Sequence, residues 1–181
     1  MAGTVFSLHS RPHGEDAEKT LQVLNALVAD VVLGAYAIGG AMGATFYVEP
    51  LLTFDPDVFM VLPQTPGGIL TLSPLYAALK ELGYHEEGEC VLIEGVPVQF
   101  LPAYNALLEE ALEQASDVRY EQTPARVLRA EHLMAICVQT GRDKDRQRVR
   151  TFLEQAMLDR PLLTDILKRH GLEAKFAAWT A

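Results

Sequence analysis

Two aspartates two positions apart, Asp55 and Asp57, and a glycine pair upstream, Gly39 and Gly40, are the residues whose types and spacing bear most directly on chemistry. On a strand, alternate side chains share a face, so Asp55 and Asp57 lie on one side with their Cα atoms roughly 6.6 Å apart. Two carboxylates at that distance repel unless a cation sits between them, and hard oxygen donors suit Mg²⁺ or Mn²⁺. A Gly-Gly turn that leads into a helix leaves bare backbone N–H groups aimed at an anion. A carboxylate pair holding metal opposite a phosphate cradle is the minimum for phosphoryl or nucleotidyl transfer. The same residues also fit a purely structural reading: a tight turn before a helix, and a second turn around Pro56.

The elements that must position these residues follow from periodicity. Helical spacing of Leu21, Leu24, Leu27 and Val28 predicts a helix over 15–29. A strand over 31–38, the Gly39-Gly40 turn and a short helix over 41–48 follow, closed by Glu49-Pro50. Residues 51–62 (LLTFDPDVFMVL) are β-branched and aromatic enough for a strand, and 63–68 read as a loop. Ser73 as N-cap and Pro74 at the first helical position begin a helix that stops at Gly83. Strands over 90–94 and 96–101 form a hairpin around Glu94-Gly95. A helix over 104–115 and an extended stretch over 118–128, interrupted by Pro124, complete a mixed core. Helices alone follow, over 131–140, 143–157 and 161–170. The fold class is α+β: a loose arm over 1–14, an α/β core over 15–128 and a small helical cap over 129–181.

Composition bounds the function. The chain has 181 residues, 49% of them hydrophobic, enough for a sizeable core. Fifteen Lys and Arg against 24 Asp and Glu leave a net charge of −9, which argues against a protein that coats nucleic acid or anionic membrane. Two cysteines, Cys90 and Cys137, exclude a disulfide scaffold. The apolar stretch over 21–52 is interrupted by Asp30 and four glycines, so it does not read as a membrane span. The polar first residues show no secretory pattern, and a cytoplasmic location is the expectation.

Residues 35–62 (AYAIGGAMGATFYVEPLLTFDPDVFMVL) resemble the signature of the nucleotidyltransferase superfamily: a hydrophobic strand, Gly-Gly or Gly-Ser, then Thr-x-Asp-x-Asp. Residues 96–102 (VPVQFLP) sit where that family places a strand bearing a third carboxylate. Residues 131–149 (EHLMAICVQTGRDKDRQRV) are similar to a helical segment of AbiEii-type toxin nucleotidyltransferases. The resemblance implies a nucleotidyltransferase-like sheet flanked by helices, and an enzyme that moves a nucleoside monophosphate from an NTP to a hydroxyl of RNA or protein. It also implies Asp55 and Asp57 as catalytic metal ligands, and nucleotide contacts at Gly39, Gly40, Thr53, Gln99, Arg142, Lys144 and Asp145. A toxin–antitoxin setting, with an antitoxin-like protein partner, is implied in the same way.

Two positions depart from the pattern. Gly40 offers no hydroxyl where the family has serine, and the third carboxylate position is Gln99, a neutral acceptor that cannot act as a base. Glu94 lies across Gly95 and does not substitute. The departure keeps a second reading open, in which the fold persists as a non-catalytic binding module. A third makes the aspartates turn residues of an unrelated α+β domain.

The basic run 142–150 (RDKDRQRVR) holds five of the fifteen basic residues. On a helix whose apolar face is Val149, Phe152, Leu153 and Ala156, Arg142 and Asp145 point inward, Arg146 and Arg148 lie at the border, and Lys144 and Arg150 lie outside. Arg142 then either meets phosphate, with Asp145 holding it, or forms an i, i+3 pair with Asp145 that ties helices together. Tyr104 and Asn105 are candidates to touch a base or ribose. His132 and His170 read as surface residues, Cys137 as core, and Trp179 as packing for the tail. His9 and His13 fall in the loose arm.

Overall fold

The computed structural model describes residues 14–49, 56–61 and 71–181. A mixed sheet of seven strands runs in the order β3-β4-β5-β2-β1-β7-β6. Its strands are β1 (Ala35–Gly39), β2 (Pro56–Val61), β3 (Glu86–Glu87), β4 (Cys90–Ile93), β5 (Val96–Pro102), β6 (Ser116–Tyr120) and β7 (Thr123–Val127). β1 pairs antiparallel with β2, while β2–β5 and β1–β7 are parallel. The expected β4–β5 hairpin forms, with Glu94 and Gly95 both at positive φ, as a tight two-residue hairpin turn requires. The stretch expected as one extended segment is instead the hairpin β6–β7, which reverses at Glu121 (φ 49°) without a glycine.

The helices are α1 (Gly14–Ala29), α2 (Gly40–Ala44), α3 (Ser73–Glu81), α4 (Ala106–Glu113), α5 (Ala130–Thr140), α6 (Asp143–Gln155), α7 (Arg160–Arg169) and α8 (Glu173–Thr180). Two hydrophobic clusters lie on the two faces of the sheet. On one face, α1 and α3 bury Leu21, Leu24, Leu27, Leu75 and Leu79 against Tyr36, Ile38, Val98 and Phe100. On the other, α4 to α8 pack Leu107, Leu133, Met134, Val149, Phe152 and Ile166 into a cluster that includes Ala37 of β1 and Ala44 of α2. Period-2 alternation explains the division: Tyr36 and Ile38 face one way, Ala37 the other.

Three expected boundaries move. Residues 31–34 form a turn after α1, with Val31 at φ 59°. Ser73 is the first residue of α3 rather than its cap, and its N–H donates to Thr71 Oγ1 at 3.2 Å. The short helix expected over 41–48 ends at Ala44 and unwinds through a turn to Val48. Helix α8 was not expected at all, since Phe176 and Trp179 in EAKFAAWT are too few to mark an apolar stripe. No helix among the described residues is long and apolar enough to cross a membrane.

Candidate functional site

Gly39, Asp57 and Gln99 form one row across three adjacent strands. Gly39 is the register partner of Asp57 on the antiparallel side, and Asp57 is the partner of Gln99 on the parallel side. Gly39 has the parity of Ala37, so the row lies on the sheet face that carries the C-terminal helices. Gln99 is consistent with this: Val98 and Phe100 on either side of it are buried in the opposite cluster. Asp57 is described by its backbone. Asp55 and Thr53, and the loop 63–68, lie outside the described residues.

The chain turns sharply after Gly39. Gly40 has φ 56°, a left-handed conformation that a Cβ disfavours, and from there α2 folds back onto β1. The approach is close enough that a Cβ at Gly43 would stand 2.9 Å from the Ile38 carbonyl oxygen. The first turn of such a helix has backbone N–H groups with no intrahelical acceptor. Beyond α2, the Glu49 N–H donates to Gln155 Oε1 at 2.9 Å, tying this segment to the end of α6.

The α6 wall differs from the helical-wheel expectation. Arg142 is the N-cap of α6, with extended φ and ψ, so the wheel does not apply to it, and its side chain is exposed rather than directed inward. Asp145 is fully buried. It accepts from Arg142 Nε at 2.7 Å, from Arg142 Nη2 at 3.2 Å and from the Arg142 backbone N–H at 3.2 Å. The pair closes the first turn of its own helix. Lys144 is exposed, as expected. Arg148, placed at the border by the wheel, is nine-tenths buried, lies 3.6 Å from Asp145 and lines a small hollow with Ala41 and Ala44 of α2 and with Thr45 just after it. Its Nε has no hydrogen-bond partner. Arg146 lies over the Trp179 ring, as does Lys175.

No protein-family model matches the sequence, and no curated protein matches it significantly. Solved structures do match. The antibiotic-resistance factor ANT(2'')-Ia superposes with a TM-score of 0.53 over 91% of this chain and 95% of its own, at 16% identity. An antigenic nucleotidyltransferase-like protein from Paracoccidioides brasiliensis gives a TM-score of 0.55 over 77% of this chain and 74% of its own, at 12% identity. The fold is nucleotidyltransferase-like. The narrower likeness to AbiEii-type toxins rests on the sequence blocks alone.

Within this nucleotidyltransferase-like fold, the other candidates sort by their contacts. Asn105 is the N-cap of α4, accepting from the Leu108 N–H at 2.9 Å and donating to Gln139 Oε1 at 3.1 Å, while Tyr104 beside it is exposed. Cys137 is core, and burial pushes its thiol up to about 11. Trp179 is nearly buried and packs the tail. His132, expected at the surface, is fully buried and joined to Glu110 of α4. Every residue of this turn from Ala130 to Ala135 is buried, so the imidazole has no solvent side to lie on. Glu94 is engaged by the Tyr84 hydroxyl at 2.6 Å.

Among the described residues no group of three His, Cys, Asp or Glu side chains could hold a metal ion. Of the row's three residues only Asp57 carries a carboxylate, and Asp55 lies outside the described residues. The donors available there are oxygens, the chemistry of a hard divalent cation such as Mg²⁺ rather than of zinc. Two residues that sequence reasoning missed stand beside the candidates: Arg148, signalled only by its place in a basic run, and Glu89, whose Oε2 accepts from Gln99 Nε2 at 3.3 Å.

Proposed function

We propose that this chain is a nucleotidyltransferase that moves a nucleoside monophosphate from an NTP to a hydroxyl, releasing pyrophosphate. The single observation that supports it is the row Gly39–Asp57–Gln99, which brings the glycine turn and Asp57, the last residue of the Thr-x-Asp-x-Asp motif, to adjacent positions on one sheet face. In this reading the backbone after Gly39 and Gly40 receives the phosphates, with Thr53 and Gln99 flanking the nucleotide. Asp55 and Asp57 would hold Mg²⁺ or Mn²⁺, which neutralises triphosphate charge and helps activate the attacking oxygen when bound. Arg142 and Lys144 add exposed positive charge at the opening of α6, and Asp145 fixes Arg142 in place. The acceptor is a hydroxyl of RNA or protein. The AbiEii-type blocks favour a toxin whose partner is an antitoxin-like protein.

Thermal unfolding with each NTP, with and without Mg²⁺, tests the reading. A ligand that binds only the folded chain adds about 2.7 kcal/mol at a hundredfold over its Kd. A Mg²⁺-dependent rise in Tm, lost in the Asp55→Ala/Asp57→Ala variant, is the expected result. Gln99 favours a second reading, a binding module without catalysis, which predicts nucleotide binding that is weak or absent and indifferent to Mg²⁺.

A further inference from the structure

We propose that Glu89 is the carboxylate that takes the proton of the acceptor hydroxyl, standing one hydrogen bond outward from Gln99. The assignment rests on the nucleotidyltransferase reading above. A hydroxyl that attacks phosphorus must lose its proton, and a positioned side chain of suitable basicity is the usual recipient. Asp55 and Asp57 are committed to the cation, and Gln99, next to Asp57 in register, is a neutral amide that takes no proton.

Glu89 is placed to do so. It lies in the turn between β3 and β4, just after Gly88 at φ 64°. The β4–β5 register, Val91 opposite Val98, continues to bring the start of β4 alongside Gln99. There Gln99 Nε2 donates to Glu89 Oε2 at 3.3 Å. The pair carries one negative charge, the same as a lone aspartate at position 99, displaced outward by the length of the amide. Glu89 is exposed, and among the described residues no lysine or arginine pairs with it. Its charge remains open to an incoming group. Glu94, the other acid near this hairpin, is held by Tyr84 at the opposite end of the hairpin.

The step balances. The acceptor O–H gives its proton to the Glu89 carboxylate, and the oxygen forms a bond to the α-phosphorus. The bond from that phosphorus to the bridging oxygen breaks, and its electron pair leaves with pyrophosphate. Glu89 then returns the proton to solvent. Gln99 acts as a positioning residue that fixes the carboxylate beside the row.

The experiment follows Mg²⁺-dependent pyrophosphate release from ATP, GTP, CTP and UTP with water as acceptor, together with the thermal shift each nucleotide gives. Glu89→Gln is expected to keep the shift, which shows the variant folded and binding, and to slow release about a hundredfold. Adding Gln99→Asp to Glu89→Gln is expected to recover about tenfold or more, a rescue that a purely structural Glu89 would not allow. Release by Glu89→Gln within about threefold of the parent overturns the assignment while leaving the nucleotidyltransferase reading intact if Asp57→Asn abolishes release. Failure of Gln99→Asp to rescue also overturns it. A parent chain that shows neither shift nor release with any nucleotide overturns the reading itself, and this assignment with it.

Discussion

Glu89 at the sheet edge and Glu110 at the helical end are both carboxylates with side-chain neighbours, and the fold treats them oppositely. Glu110 is mostly buried and accepts from both Nη groups of Arg169, from His132 Nε2 at 3.0 Å and from His170 Nε2 at 2.9 Å. The Arg169 guanidinium holds its carboxyl well below the usual carboxylate range, with the two imidazoles adding to the effect. Glu89 is exposed and bonded to a neutral amide. One carboxylate has its charge consumed by clamping α4, α5 and α7 together; the other keeps its charge at the edge of the Asp57 row. Asp145 belongs with Glu110, because Arg142 and Arg148 flank it. Glu110 and Asp145, surrounded by cations, build structure, whereas Glu89 keeps its charge beside the row.

Exchanging the roles by mutation gives the largest expected effects. Asp57→Asn is expected to reduce nucleotide transfer about a thousandfold, the cost of removing a group aimed at reacting charge. Urea unfolding should register a change below about 1 kcal/mol for it, because the exchange is isosteric and removes charge rather than volume. Glu110→Ala is expected to do the reverse. It strips His132 of its acceptor and leaves Arg169 without its inner partner, costing about 3 kcal/mol in unfolding, while transfer per folded molecule holds. Large losses of both activity and stability in both variants would dissolve the contrast.

Gly43→Ala sits between the two regions and is next in size. Its Cβ would meet the Ile38 carbonyl at 2.9 Å, a backbone atom that cannot swing aside. Unfolding is expected to become easier by about 1–2 kcal/mol, and nucleotide affinity to fall as α2 is lifted from β1; calorimetry reads both.

The smallest effect is a pH dependence at the helical end. Burial lowers the pKa of His132 from its usual 6.5, and Glu110 is held below its usual 4.5. In each case the unfolded chain binds more protons than the folded one in the window below the ordinary value. Stability is therefore fully present above pH 6.5, declines as pH falls through the histidine range, and declines further below 4.5. Urea midpoints measured between pH 7.5 and 4 check this, and His132→Gln is expected to flatten chiefly the upper step.

Much of the scaffold was legible. The Glu94-Gly95 turn, the apolar stripe of α4 and the first three helices after residue 129 all announce themselves through local pattern. The β6–β7 reversal did not, because Glu121 occupies the positive-φ position where a glycine would have signalled a turn. At the site, strand alternation put Asp55 and Asp57 on one face, and the register adds Gln99 as the neighbour of Asp57. The wheel misplaced Arg142 because a cap residue does not share the helical rotation. Glu89 and the Glu110 cluster were invisible for another reason. Each depends on partners brought together by tertiary pairing, such as Glu110 with Arg169, for which no periodicity exists.

The pairing of β1 has a consequence during synthesis. Its antiparallel neighbour β2 follows soon after, but its parallel neighbour arrives only at Val127, about ninety residues later. At roughly 5–20 residues per second, a ribosome takes several seconds or more to deliver it. For that interval the apolar strand Ala35–Gly39 exposes one row of unpaired backbone groups, a template for pairing with another nascent chain. Until Val127 is made, that edge is the one the growing chain must keep from pairing with a neighbour.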